Sequence, residues 1–352
     1  MMMSVIIPTY RRSQYLDFTL ASFTRQLDGE FEIIVVDDGG DDGTKHTVEK
    51  YQRDLHVTYL RQEHSGRSAA RNRALAAAGG ELLVFCDDCM IADPELIRRH
   101  AAAVGEAEHI ASVGWKRRAL TCWLRGRLQM IESDFLTILA RDPALAARLP
   151  YEDFSLLEPE QFAADYQRWL PFIDLGDDVT NFVSVVAKFS PTLDDFRFPW
   201  MFAVTGNLCV RRQQVLDVGG FCEEYQGWGM EDTDLGYRLH RDGIRLVVST
   251  QARTYHQLHP IGPDSAARAL WLRRVELCRN FRLFYEKYRQ DPAVRMHWCY
   301  FRDQINLFDA NQIILDIEAG RRRDLPEEFK PREPARSGSG AGSRAVPGGG
   351  RT

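Results

Sequence analysis

The feature that most constrains the fold is an alternation, over the first hundred residues, of short apolar runs with amphipathic segments. Strands are predicted at residues 4–8, 31–36, 57–60 and 82–86, and helices at residues 13–27 and 67–78. Successive β-α-β units of this kind build a mainly parallel sheet with helices on both faces. The sequence therefore predicts a Rossmann-like α/β fold.

The rest of the chain is less regular. Residues 105–200 have no clean periodicity and are rich in Trp, Phe, Pro and acidic residues. Beyond them, strands are predicted at residues 202–210 and 245–248, and helices at residues 213–218, 233–242 and 264–288. The Gly- and Ser-rich residues 331–352 cannot bury apolar area, so we expect a disordered tail.

Carboxylates follow two of the predicted strands. Asp37 and Asp38 come directly after Ile-Ile-Val-Val, and Asp87 and Asp88 end the fourth strand. The carboxyl ends of parallel strands meet at one edge, where ligands of open α/β proteins bind. The alternative for the Asp-Gly-rich segment after the second strand is a solvated turn. A divalent cation or hydrogen-bond donors would relieve the repulsion between the carboxylates.

A second acidic segment, Gly-Trp-Gly-Met-Glu-Asp-Thr-Asp, occupies residues 227–234. A Gly-rich turn that leads into a helix would account for its acids, since carboxylates suit the positive end of the helix dipole. That interpretation does not account for Trp228 between two glycines. Taken alone, the segment is an acidic helix start beside an aromatic side chain, and its interpretation as a binding site depends on the segments before it.

These segments together resemble a known family. Ser-Val-Ile-Ile-Pro-Thr-Tyr, Glu-Ile-Ile-Val-Val-Asp-Asp-Gly, Ala-Ala-Arg-Asn-Arg-Ala and Leu-Val-Phe-Cys-Asp-Asp-Cys are similar, in order and spacing, to the nucleotide-binding half of family 2 glycosyltransferases with a GT-A fold. Residues 204–210, the following Gly-Gly-Phe and the 227–234 segment resemble the acceptor half, and also galactosyl- and N-acetylgalactosaminyl-transferase relatives. The resemblance covers about residues 3–260.

The resemblance implies a division of the chain. A nucleotide-sugar-binding half (1–104) would precede a variable acceptor-facing insertion (105–200) and an acceptor and catalytic half (201–262). A helical region (263–330) and the tail (331–352) would follow. The implied activity is inverting transfer of a sugar from a nucleotide-diphosphate donor, a UDP-sugar, to a hydroxyl of a saccharide, lipid-linked sugar, natural product or peptide.

Residue roles carry over from the resemblance. On the donor side, Pro8, Thr9 and Tyr10 would line the base pocket, and Asp38 would accept a hydrogen bond from the base. Arg71 would contact the nucleotide or its diphosphate, and Asp87 would contact the ribose. Asp232 would take the acceptor's proton, as an inverting transfer requires, and Glu231 would orient hydroxyls. Trp228, with Gly227 and Gly229 allowing close approach, would present an apolar face to a sugar.

The implied metal site departs from the family pattern. Asp87 and Asp88 begin the D-x-D element, but its second acid falls on Cys89. Mn²⁺ or Mg²⁺ is the expected cofactor, and a thiolate prefers softer metals. Either Asp88 takes over, or Cys89 binds, or metal dependence is weak; we favour Asp88. His256 is the expected third ligand and His259 the second choice.

Composition limits the partners. Forty-five basic and fifty acidic residues give a net charge of -5, without the basic footprint of a nucleic-acid binder. No run reaches the roughly 18 apolar residues of a membrane span, and the seven scattered cysteines favour reduced thiols in a cytoplasmic protein. One basic segment, interleaved with tryptophans, would contact an anionic acceptor or the inner membrane face, or form a solvated helix face: Lys116, Arg117, Arg118, Arg125 and Arg127.

Two other functions remain open at this point. A non-catalytic relative that binds a nucleotide sugar or a partner enzyme is compatible with Cys89. A sugar-1-phosphate nucleotidyltransferase shares the sheet topology, but it needs a Gly-rich loop after its first strand to receive phosphate. Here that strand ends in Pro-Thr-Tyr, which disfavours this alternative.

Overall fold

The α/β fold is seen in a computed structural model that describes residues 1–105, 107–178, 183–260 and 266–329; the expected disordered tail, 331–352, lies outside them. The chain forms two compact units, Met1–Arg289 and Gln290–Thr352. Every residue with a predicted site role belongs to the first unit. In the described residues, no helix combines the length and apolarity needed to cross a bilayer.

The strands of the first unit are short and mostly buried. They are β1 (Met3–Thr9), β2 (Phe31–Asp37), β3 (Val57–Arg61), β4 (Leu82–Phe85), β5 (Met90–Ala92), β6 (Ile110–Ala119), β7 (Cys122–Trp123), β8 (Phe154–Ser155), β9 (Asp174–Asp177), β10 (Leu208–Arg211) and β11 (Arg245–Gln257).

One sheet holds nine of these strands in the order β3-β2-β1-β4-β10-β6-β11-β5, with β9 paired to β6. β1 pairs in parallel with both β2 and β4, and β6 pairs in parallel with β11. β10 is antiparallel to its neighbours β4 and β6. A smaller sheet pairs β7 with β8. The predicted fold, a mainly parallel sheet flanked by helices, is confirmed.

The helices of the first unit cover this sheet. They are α1 (Ser13–Phe23), α2 (Thr44–Tyr51), α3 (Arg67–Ala77), α4 (Leu96–Val104), α5 (Glu132–Arg141), α6 (Pro159–Ala164), α7 (Tyr166–Ile173), α8 (Val183–Phe189), α9 (Arg212–Asp217), α10 (Glu231–Arg241) and α11 (Ala266–Tyr288). Two 3-10 helices span Pro143–Ala147 and Pro199–Phe202.

Branched apolar side chains explain the central strands. Val5 and Ile7 of β1, Ile33 and Val35 of β2, and Val84 of β4 are fully buried in one core cluster. Such residues pack well on a pleated surface that is covered on both faces. The sheet core thus fixes the edge from which the carboxylates project.

Three predicted elements differ from the observed ones. The strand predicted at 202–210 is only β10, because the 3-10 helix Pro199–Phe202 leads into a turn in which the Asn207 N–H donates to the carbonyl of Val204 over 3.1 Å. The strand predicted at 245–248 continues to Gln257 through a register shift between Ser249 and Arg253. His256 therefore lies within β11 and not after it.

The first predicted helix, 13–27, ends at Phe23. Beyond it, the Leu27 N–H donates to the carbonyl of Pro94, 2.9 Å away, and the Gln26 side chain donates to the carbonyl of Asp93, 2.8 Å away. These bonds draw the chain away from the helix axis. The basic segment at 115–127, for which one alternative was a solvated helix face, is instead the end of β6, β7 and the turn after them.

The second unit is helical over its described residues. It contains α12 (Pro292–Phe301), α13 (Leu307–Glu318) and a 3-10 helix, Glu327–Phe329. Asp291 caps α12 and Asn306 caps α13, each by accepting a backbone N–H from the first turn. Such caps satisfy donors that a helix start leaves unpaired.

Candidate active site

The candidate site lies where the carboxyl ends of β1, β2 and β4 meet the start of α10. Thr9 and Asp37 are the last residues of β1 and β2, and Asp87 follows β4 by two residues. α10 begins at Glu231 with three acids in its first turn and basic residues in its last, which complements the helix dipole. Two segments far apart in sequence thus contribute acids to one edge.

Arg71 of α3 joins these two segments. Its guanidinium donates to Asp87 Oδ1 over 2.9 Å and to Glu231 Oε1 over 3.2 Å, and the side chain is only 3% exposed. Burial opposes the charge of Asp87, but Arg71 and Arg67 outweigh it and lower the pKa of Asp87. The sequence predicted all three side chains as site residues, and the structure brings them into direct contact.

Three buried polar atoms on β1 and α3 have no hydrogen-bond partner in the part of the chain that the structure describes: Thr9 Oγ1, Ser68 Oγ and Arg71 Nε. Buried polar atoms in native proteins are nearly always satisfied, so such orphans call for an explanation. The three atoms lie on two elements that meet at this edge, so a polar ligand bound there would supply their missing hydrogen bonds.

The end of β2 forms a pocket wall with the loop before α3. The Asp38 carboxylate accepts from the backbone N–H groups of Ser65 and Gly66, at 2.8 and 2.9 Å, and from the Gln62 side chain at 2.7 Å. Tyr10 stacks on His64 with ring centroids 4.2 Å apart. Asp38 therefore organises this loop, and Tyr10 offers a planar wall beside it.

The paired acids of α10 have different surroundings. Glu231 is buried against Arg71, whereas Asp232 accepts the backbone N–H of Thr233 over 2.7 Å. Burial and the charge of Glu231 raise the pKa of Asp232 to about 6, although Arg71 opposes them. Asp232 therefore exchanges a proton close to neutral pH, as a general base requires.

α11 holds the turn that precedes α10. Glu276 accepts the backbone N–H of Trp228 over 2.9 Å, and Asn280 donates to the carbonyls of Gln226 and Gly229, at 3.0 and 2.9 Å. The guanidinium of Arg273 lies 5.6 Å from the centre of the Trp228 ring. The half-buried Trp228 is thus fixed at the edge of the site.

The two glycines beside Trp228 serve this packing. Gly227 and Gly229 have φ values of 77° and 92°, in the left-handed region. An added Cβ would lie 2.5 Å from Glu276 Cδ at Gly227 and 2.9 Å from Leu277 Cδ1 at Gly229. From the sequence, these glycines were predicted to allow a sugar to approach the backbone, and that stays a prediction. In the structure, they allow the turn to pack closely against α11.

Asp88 points to the other side of the β4 end. Its Oδ1 lies 3.5 Å from Arg12 Nη1, and its side chain is 7% exposed. Burial raises the pKa of Asp88, although Arg12 lowers it in part. Asp88 is thus occupied by an arginine, and it is not among the residues whose donor atoms gather into a cluster suited to a metal.

Within the described residues, one group of three side chains has the composition and spacing of a metal site: Cys89, His256 and His259. Their ligand atoms all lie within 4.8 Å of one another. A thiol and two imidazoles suit a divalent cation, but they are softer donors than the oxygen atoms that Mg²⁺ and Mn²⁺ prefer. A cation of the expected charge therefore fits here, while the expected donor chemistry does not.

The two histidines have opposite electrostatic environments. Burial disfavours the charged form of His256, but Cys89 and Asp178 outweigh it and raise its pKa to about 10. Burial, with Arg12 and His256, lowers the pKa of His259 to about 2. His256 thus faces negative charge and His259 faces positive charge.

The five basic residues predicted to contact an anionic acceptor or a membrane do not form one exposed patch. Lys116 is buried, and burial lowers its pKa, although Asp178, Asp232, Asp87 and Cys89 oppose this. The other side chains bond to protein groups: Arg117 to Asp174 and Asp177, Arg118 to Asp134, Arg125 to the carbonyl of Pro150, and Arg127 to Asp153. These contacts are within the fold, and contact with an anionic acceptor or the inner membrane face stays a prediction.

Sequence reasoning missed several residues of the site. Glu276 and Asn280 are polar positions on the inward side of an amphipathic helix, which was a readable signal. Arg12 lies two residues after the predicted pocket segment, so it could also have been predicted from the sequence. Asp178 lies in the stretch without periodicity, where nothing in the sequence distinguishes it.

Family models match two parts of the chain. Residues 4–157 match the model of Glycosyl transferase family 2, and residues 187–260 match the model described as the N-terminal domain of galactosyltransferase. The matched parts include both segments that Arg71 joins.

Individual relatives extend this match. YfnE of Bacillus subtilis, an uncharacterized glycosyltransferase, is 34% identical over 324 residues, which are 90% of this chain and 77% of YfnE. Validoxylamine A glucosyltransferase of Streptomyces hygroscopicus subsp. jinggangensis is 30% identical over 256 residues, which are 71% of this chain and 54% of that protein. This chain thus spans about half the length of the second relative.

Among solved structures, the fold is similar to that of the mannosyltransferase PcManGT from Pyrobaculum calidifontis, determined in complex with GDP-Man and Mn²⁺. The TM-score is 0.56 at 17% identity, and the match covers 92% of this chain and 76% of that one. A likeness at this level of identity supports the fold.

Proposed function

Because the chain belongs to glycosyl transferase family 2, we propose that it is an inverting enzyme that moves a sugar from a nucleotide-diphosphate donor, a UDP-sugar, to a hydroxyl group. The acceptor would be a saccharide, lipid-linked sugar, natural product or peptide. The observation that carries the proposal is the Arg71 bridge between Asp87 and Glu231, which joins the two halves of the site.

The donor's nucleoside would occupy the pocket at the ends of β1 and β2. Tyr10, stacked on His64, offers a planar wall for a base, and Pro8 and Thr9 end the adjacent strand. The unsatisfied Thr9 hydroxyl supports this placement. Because Asp38 already accepts three hydrogen bonds, it would contact the base while it holds the loop.

The donor's diphosphate would lie near a group of arginines. Burial, together with Arg67 and Arg12, lowers the pKa of Arg273 to about 10. Mutual repulsion of three guanidinium groups is relieved by an anion, and arginine forks suit phosphate oxygens. Asp87 would hold the ribose nearby.

Asp232 would act as the base. As the acceptor oxygen bonds to the anomeric carbon, the bond from that carbon to the diphosphate oxygen breaks, and Asp232 receives the hydroxyl proton. A pKa of about 6 leaves Asp232 ionised at neutral pH and still basic enough to accept that proton. Glu231, fixed by Arg71, would orient hydroxyls, and Trp228 would hold the acceptor's apolar face.

A divalent cation is part of the proposal. Cys89, His256 and His259 would hold it, with Asp88 close by, and it would neutralise charge that develops on the diphosphate. PcManGT is described with Mn²⁺, which supports a cation in this fold.

The proposal is tested by nucleoside diphosphate release from a panel of UDP-, GDP- and dTDP-sugars, with and without added divalent cations. Release from a UDP-sugar that rises when a polyhydroxylated acceptor is present is the expected result. Tight binding of the same donor without any release would contradict a transferase and favour a non-catalytic binding protein.

A further inference from the structure

The donor atoms of Cys89, His256 and His259 form a compact cluster beside the proposed diphosphate site. All lie within 4.8 Å of one another; Cys89 is 3% exposed, and both histidines are partly buried. Cys89 is a free thiol. The cluster combines one sulfur and two imidazole nitrogens, without a carboxylate among the three.

Backbone pairing fixes where two of these side chains lie. β5 pairs with β11 so that Met90 is opposite His256, and the Gln257 N–H donates to the carbonyl of Cys89 over 2.9 Å. Cys89 and His256 are therefore held on neighbouring segments in one register. Ligands on paired strands need little rearrangement to share an ion.

A hydrogen bond to His259 and an ion-pair contact to His256 indicate which ring nitrogen each histidine can offer. His259 Nδ1 lies 2.9 Å from the carbonyl oxygen of Pro260, to which it donates, so the Nε2 lone pair remains to accept. His256 Nδ1 faces Asp178 Oδ2 at 3.6 Å, which leaves its Nε2. A carboxylate or carbonyl behind each imidazole is the usual support of a metal-ligating histidine.

In the structure, the position opposite His259 is taken by a cationic group. Arg12 Nη1 lies 3.1 Å from His259 Nε2, 4.0 Å from Cys89 Sγ and 3.5 Å from Asp88 Oδ1. The Nε2, Sγ and Oδ1 atoms of these three residues thus all face the positively charged guanidinium of Arg12. A divalent ion bound to Cys89 and His259 would displace this guanidinium.

We propose that Cys89, His256 and His259 bind a thiophilic divalent ion of the Zn²⁺ and Co²⁺ class in preference to Mn²⁺ or Mg²⁺. Thiolate and imidazole select such ions, whereas Mn²⁺ and Mg²⁺ prefer oxygen ligands. Three protein ligands leave a fourth position for an oxygen of the donor's diphosphate. The inference rests on the proposed function for that last contact only; ion binding itself does not depend on it.

Asp87 and Asp88, the nearby carboxylates, do not belong to this cluster of ligand atoms in the described residues. Asp87 bonds to Arg71 at 2.9 Å and Asp88 to Arg12 at 3.5 Å, so each is paired with an arginine. Binding through Cys89 requires the thiolate, and its proton is released to solvent.

The test is a Co²⁺ titration of the full chain after treatment with a chelator, without any nucleotide sugar present. A thiolate-to-cobalt charge-transfer band in the near ultraviolet is expected, and Zn²⁺, but not Mn²⁺, should abolish it. Cys89→Ser should lose the band, and Cys278→Ser, which removes an exposed thiol on α11, should keep it.

Two further variants test the other ligands and the selectivity. His259→Ala should weaken Co²⁺ binding by at least about tenfold. Cys89→Asp, which restores an oxygen donor, should bind Mn²⁺ at least about tenfold more tightly than the parent, as read from the loss of the free Mn²⁺ signal in paramagnetic resonance. Circular dichroism establishes that each variant is folded.

Failure to bind Co²⁺ or Zn²⁺ in the folded parent, or a charge-transfer band that persists in Cys89→Ser, would overturn the inference. Sugar transfer that continues in excess chelator, together with no ion binding, would reject the metal site and leave the proposed transferase intact. Ion binding without any sugar transfer would support the metal site and reject the proposed transferase.

Discussion

At the scale of residues, two adjacent carboxylates are prepared for different tasks. Glu231 is paired with Arg71 at 3.2 Å, whereas Asp232 accepts the backbone N–H of Thr233 at 2.7 Å and has a pKa raised to about 6. Titratable groups whose surroundings push their pKa values apart are suited to separate roles in catalysis. We therefore expect the pair to divide between orientation and proton transfer.

The raised pKa of Asp232 predicts the pH dependence of turnover. A base works only when it is deprotonated, so turnover at saturating donor should fall as the pH decreases through about 6 and should be flat just above it. Initial rates between pH 5 and 8 measure this. Donor affinity and the unfolding temperature, followed over the same range, serve as controls. Turnover that is unchanged down to pH 5 would contradict the role of Asp232.

How far the site could be predicted depends on how each residue reaches it. Asp87 lies just after β4 and Glu231 begins α10, and both stand in segments that resemble the family. The resemblance therefore located both residues, and it located Arg71 in the same way. Asp178 reaches the site only because the insertion folds against His256, and His259, the second choice of ligand from the sequence, meets Cys89 only through the fold. No local pattern encodes that meeting, and a lone histidine in sequence is more often structural.

At the scale of elements, the strands next to the site show where periodicity fails. Ser249, Thr250 and Gln251 interrupt the apolar run of β11, so its sequence predicts an end at 248, but a register shift carries the strand on to His256. The apolar residues from Trp200 onward have the sequence pattern of a buried strand, but they begin with a 3-10 helix that packs against α10. Burial and strand structure give the same pattern over short runs.

The packing of α10 yields a prediction for Gly236. An added Cβ there would lie 2.3 Å from Ala203 Cβ and 3.0 Å from the carbonyl oxygen of Trp200. Gly236→Ala should therefore push α10 from the 3-10 helix, lower the free energy of unfolding by about 1–3 kcal/mol and reduce turnover. Denaturant unfolding and initial rates measure the two effects.

Gly79→Ala is the matched control, since an added Cβ at that position comes no nearer than 3.4 Å to any atom outside its own neighbourhood. Its free energy of unfolding should change much less. Equal stability of the Gly236→Ala variant and the parent would show that α10 does not need this close approach.

At the scale of the whole molecule, α11 belongs to the compact unit Met1–Arg289. Its inward side chains Glu276 and Asn280 hold the turn around Trp228, so this helix supports the acceptor side of the site. Sequence analysis recognised the helix by its amphipathic pattern. It did not connect the helix with Trp228, because the two are about fifty residues apart and no periodicity links them.

The division into units predicts the effect of truncation. All proposed donor, catalytic and metal-binding residues lie in Met1–Arg289, so a chain that ends at Arg289 should unfold in one cooperative transition and bind the nucleotide sugar as the full chain does. Calorimetry of unfolding and of donor binding measures both. Donor affinity reduced more than about tenfold, in a chain that still unfolds cooperatively, would show that the second unit contributes to the site.

The central claim is inverting sugar transfer with Asp232 as the base, and the Asp232→Asn variant tests it most directly. Asparagine preserves shape and removes the proton acceptor, so turnover should fall by at least about a hundredfold. Donor affinity, measured by calorimetry on the same preparation, should stay within about threefold, because the donor contacts are elsewhere. Undiminished turnover in a folded Asp232→Asn enzyme would contradict the account.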